Sequence, residues 1–157
     1  MSAKCIFITK QNSFQPATND FHWSFGAEPI NAQHSSFAYS VFAPTGEESW
    51  VFAGSTGSLD EENYFSFLLS VPYLDEDLME YTYKLNDGKG LHVAHIHSIP
   101  APPGFTGFAT VDADDAELTI RLDRTTGTVT GDFTATFKSE GYRLWPNGTF
   151  KLTRTDQ

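Results

Sequence analysis

Cysteine is all but absent from this chain, and Lys and Arg are absent from nearly half of it. The single cysteine, Cys5, cannot close an intramolecular disulfide, so the fold must rest on its own packing. Five uncharged residues separate Lys4 from Lys10, too few for a secretory hydrophobic segment. A cytoplasmic location is therefore expected, with a mature secreted form left open. No apolar run approaches the length of a membrane helix, so no membrane span is expected.

Residues 11–83 contain no Lys or Arg and eleven acids, while the remainder carries ten bases and nine acids. Such a region repels phosphates, which disfavours nucleic acid and anionic lipid heads as partners. It would attract a basic protein partner or divalent cations. An acidic surface also keeps β-rich proteins soluble without any partner. Glycine motifs of the phosphate-cradling kind are absent, and "GSTGS" (54–58) lacks the strand-elbow-helix setting of a catalytic serine. The carboxylate runs at 60–62, 75–77 and 112–117 lack the spacing of a calcium loop and read as solvated turns.

What is abundant is aromatic residues, at 15% of the chain, with 14 Phe, 6 Tyr and 3 Trp. These favour pleated, half-buried surfaces. Period-two alternation recurs along the whole chain, with strands expected at 4–10, 36–43, 49–55, 64–71, 79–85, 91–99, 107–112, 117–123, 128–137, 142–145 and 149–154. Helix is confined to at most a short turn at 58–63 or 74–80. The chain reads as one all-β domain over 1–157, an antiparallel β-sandwich of about ten strands, with a closed β-barrel as the alternative. A Gly-containing turn joins 117–123 to 128–137. Asn147-Gly148 carries the chemistry of a type I′ turn, and Gly131 inside a strand suggests a bulge. The segment from Leu118 to Phe137, with "PNGTFKLTR", resembles the closing hairpins of small bacterial β-sandwich proteins. That resemblance implies a fold and no activity.

Three of the five histidines, His92, His95 and His97, fall within "HVAHIH". Strand periodicity sends His95 and His97 to one face and His92 to the other. Two imidazoles at that spacing can converge on a divalent transition metal, with a third ligand from His22, His34 or a carboxylate such as Asp112 or Glu117. His-x-His also opens the cupin motif, but no glutamate follows until Glu117, which excludes that assignment. The plainer reading is a half-exposed strand bearing polar histidines. Trp23, Trp50 and Trp145 are candidate ligand-stacking residues near turns or strand ends, with burial expected for at least two of them. With no complete catalytic constellation, the leading expectation is a non-catalytic module binding a protein partner or small ligand. A metal enzyme using His95 and His97, and carbohydrate or apolar-ligand binding through exposed Trp, are the alternatives. Oligomeric state is not readable from these patterns.

Overall fold

A computed structural model describes residues 19–156; the strand expected at 4–10, and Cys5 within it, lie outside the described residues. Eleven strands follow in order: β1 (Asp20–Ser24), β2 (Ile30–Asn31), β3 (His34–Phe42), β4 (Glu47–Thr56), β5 (Phe65–Pro72), β6 (Leu78–Lys84), β7 (His92–Ile99), β8 (Gly107–Asp112), β9 (Asp115–Asp123), β10 (Thr128–Thr136) and β11 (Asn147–Thr153). They form a six-stranded sheet, ordered β2-β1-β11-β10-β9-β6, and a five-stranded sheet, ordered β3-β4-β5-β7-β8. Every pairing is antiparallel. The sheets stay open at their edges, so the architecture is a sandwich and not a closed barrel. Among the described residues there is no helix, and the acidic segments at 58–63 and 74–77 are turns and bends.

Alternation puts the core between the sheets. Along β9, Ala116, Leu118, Ile120 and Leu122 are buried while the residues between them are exposed. Phe21 and Trp23 of β1 meet Phe67 of β5 and Phe133 of β10 across a centre made largely of aromatic rings. Two expected features fall elsewhere. Residues 142–145 form no strand, only an isolated bridge between Leu144 and Phe137. β1 and β2, by contrast, were not among the expected strands, although Phe21 and Trp23 alternate inward with His22 between them.

The two glycine expectations are both corrected. Gly131 makes no bulge, because its pairing runs unbroken to Ile120 on one side and Phe150 on the other. Instead, a Cβ at Gly131 would lie 2.3 Å from the Phe150 ring, and one at Gly148 would lie 2.5 Å from the Phe133 ring. The hydrogen atom of glycine leaves the space that each ring fills. Asn147-Gly148 therefore opens β11 rather than turning. The reversal before it falls at Ser139–Tyr142, where Glu140 (φ 57°) and Gly141 (φ 86°) both take the left-handed conformation that a type I′ turn requires. There the Tyr142 amide donates to the Ser139 carbonyl at 3.1 Å. Packing of Phe133 has overridden the local preference of Asn-Gly.

The Phe150 ring cannot yield easily, since it stacks on Phe21 at 5.4 Å and on Phe52 at 5.2 Å. Gly131→Ala is therefore expected to destabilise the fold by about 1–3 kcal/mol through overpacking. A urea titration with an unchanged midpoint would show that the ring has room after all.

Candidate functional site

His95 and His97 leave β7 on its inner face, as strand periodicity requires. His95 pairs across the sheet with Phe67 on β5 and Val111 on β8. The strand is not half-exposed, however. Residues Val93 to Ile96 are all buried, and His95 is 0% exposed. Its ring stacks on Phe65 and meets the edges of Phe137 at 4.6 Å and Tyr142 at 5.1 Å.

The histidines join a three-member chain. His95 Nδ1 lies 3.2 Å from His97 Nδ1, and His97 Nε2 lies 3.0 Å from the Tyr142 hydroxyl. Either proton arrangement ends the chain at His95 Nε2, which is buried and has no partner. A buried imidazole nitrogen without a hydrogen bond is costly, and a charge there would cost far more. Burial, and then the neighbouring His97, accordingly push His95 down to about 4 from the ordinary 6.5. Burial also lowers His97. Both rings are thus held neutral at neutral pH.

The third metal ligand expected from sequence is not brought to this pair. His22 lies on the other sheet, bound to Asp20 and to the Thr149 hydroxyl. His34 sits on β3, Asp112 faces His92 at 3.1 Å, and Glu117 lies beside Lys84. Among the described residues, no group of three or more His, Cys, Asp or Glu side chains converges as a metal ion would need. The group that does meet the pair is Tyr142, which sequence reasoning placed in a strand. Its phenol reaches His97 from 45 positions away, and no local pattern announces such a contact.

The tryptophans separate sharply. Trp23 and Trp50 are each 1% exposed and belong to the core, with the Arg154 guanidinium 5.1 Å from the Trp50 ring centre. Their burial removes them as stacking surfaces, because the inward face of each strand is where alternation puts them. Trp145 is 56% exposed. It flanks a cleft of about 420 Å³ on the outer face of the six-stranded sheet, whose polar lining includes Lys84, Asp115, Glu117, Thr134 and Asn147. Register explains the lining: Lys84 faces Glu117, Glu117 faces Thr134, and Thr134 faces Asn147 in one row across β6, β9, β10 and β11.

Both groups of residues meet in one segment. Phe137 and Tyr142, which cover His95, and Trp145, which flanks the cleft, all lie in the connection between β10 and β11. In comparisons with family models, curated proteins and solved structures, the chain matches none.

Proposed function

We propose that this chain is a non-catalytic binding module that takes a carbohydrate in the cleft beside Trp145. The observation that carries this reading is the exposed indole of Trp145 set against a row of hydroxyl, amide, ammonium and carboxylate groups. A sugar presents an apolar ring face edged by hydroxyls, and that combination of a stacking plane with short polar side chains satisfies both parts. The polar groups stand on paired strands, so the spacing of their points of attachment is fixed before a ligand arrives.

Burial of the other two tryptophans makes the test direct. Titration with a panel of neutral oligosaccharides should change the Trp emission saturably, with Trp145 as the responding ring. Trp145→Ala is expected to weaken binding by up to about tenfold, the factor that corresponds to losing one aromatic contact of the larger measured size. Trp145→Phe should retain part of the affinity. No saturable response across the panel would overturn the reading.

A further inference from the structure

We propose that His97 is a positioning residue for Trp145, acting through the Tyr142 hydroxyl; this rests on the reading of Trp145 as the ligand platform.

The connection between β10 and β11 is a short hairpin with two arms, and each arm is tethered by a different part of the sandwich. The outgoing arm is held by Asp114, whose carboxylate accepts from the amides of Lys138 and Ser139 at 2.6 and 3.0 Å and from the Ser139 hydroxyl. The return arm runs from Tyr142 to Trp145. Its backbone is fixed at Leu144 by the bridge to Phe137, with bonds of 2.8 and 2.9 Å in the two directions. Its side-chain tether into the five-stranded sheet is the contact of Tyr142 with His97.

That tether is strongly oriented. His97 cannot turn away freely, because its other ring nitrogen faces His95 Nδ1, and His95 is enclosed by Phe65, Phe137 and Tyr142. A neutral imidazole held in one orientation offers a single direction in which the phenol can meet it. The pair, with the buried and unpartnered Nε2 of His95, is a poor contributor to stability. As the fixed end of a tether it has a use that stability alone does not supply. Three residues after that fixed point the chain presents Trp145.

The experiment uses the full chain and reads Trp145 directly by acrylamide quenching and emission maximum, with Trp145→Phe giving the background of the two buried rings. Tyr142→Phe removes one hydroxyl and leaves the ring packed on His95. In this variant, Trp145 should become more quenchable and its emission should shift to the red. Oligosaccharide binding should weaken about fivefold, the factor for one hydrogen bond. His97→Ala should do the same, while His97→Gln, which keeps an amide in reach of the phenol, should restore both readouts. Rescue by Gln is the result that a merely space-filling role would not produce.

More quenching in the variants, with no oligosaccharide bound by any form of the protein, supports the positioning and removes the carbohydrate reading. Binding by the parent chain, with quenching and affinity unchanged in Tyr142→Phe and His97→Ala, overturns the positioning and leaves the carbohydrate reading intact.

Discussion

Phe67→Ala should remove about 3–5 kcal/mol of stability, the cost of truncating a fully buried phenylalanine whose site cannot collapse. Phe67 is 0% exposed and lies within 5.2–6.2 Å, ring centre to ring centre, of Phe65, Trp23, Phe133, Phe137 and Phe25. It projects from β5 of one sheet onto β1 and β10 of the other, so its loss opens the contact between sheets and not merely a gap within one. Against a typical total of about 5–15 kcal/mol, that is a large share. The urea midpoint should fall steeply while the slope of the transition stays the same. Phe105→Ala is the control, since Phe105 is 69% exposed and its truncation should change stability by less than about 0.5 kcal/mol. Equal effects of the two substitutions would mean that the aromatic cluster is not what joins the sheets.

The second large effect concerns acid. His95 titrates near 4 in the folded chain and near the ordinary 6.5 when unfolded. Between those values the unfolded chain takes up a proton that the folded chain refuses. Stability therefore falls as pH drops through that window, and the loss is complete below about 4. The lowered value of His97 acts in the same direction. A difference of two to three pKa units corresponds to about 3 kcal/mol. Carboxylates held low by hydrogen bonds, Asp114 among them, also destabilise the fold on acidification, so the contribution of His95 must be read as a difference. His95→Leu fills similar space among Phe65, Phe137 and Tyr142 without a titrating group. The parent chain should lose about 3 kcal/mol relative to this variant between pH 7 and pH 4. Parallel stability curves for the two proteins would show that His95 is protonated without penalty, and so is not sealed from water.

Much of the fold was legible because alternation and burial are the same fact seen at two levels. β9 and β10 could be placed from Leu118, Ile120, Leu122, Val129 and Phe133 alone. β1 was overlooked because it is only five residues long and its partner, β11, lies at the far end of the chain. The side of β7 on which His95 and His97 fall was also readable. Their burial was not, since it depends on β7 lying between β5 and β8, and strand order is not written in local pattern. Tyr142 and the turn at Glu140-Gly141 were hidden for a related reason. Asn147-Gly148 is the stronger turn signal, but pairing with β1 on one side and β10 on the other, with the Phe133 ring seated on Gly148, holds it in a strand. For the tryptophans, inward alternation marked Trp23 and Trp50, while Trp145 stands beside Pro146 at the close of a connection, where no alternation applies.

The seating of phenyl rings on glycines settles something that the hydrophobic pattern leaves open. A slip of one residue between β10 and β11 would turn their apolar residues outward and is excluded by burial alone. A slip of two residues would keep every side chain on its proper face. Gly131 opposite Phe150 and Phe133 opposite Gly148 weigh against that slip, because each ring fills the space over a glycine only in this alignment. Moved two positions one way, Phe133 would face Phe150 and neither ring would keep its seat on a glycine; moved the other way, Gly131 would face Gly148 and leave a void. The two glycines thus act as a lock and key written into the backbone, favouring one alignment of the strands that carry Trp145 at their junction.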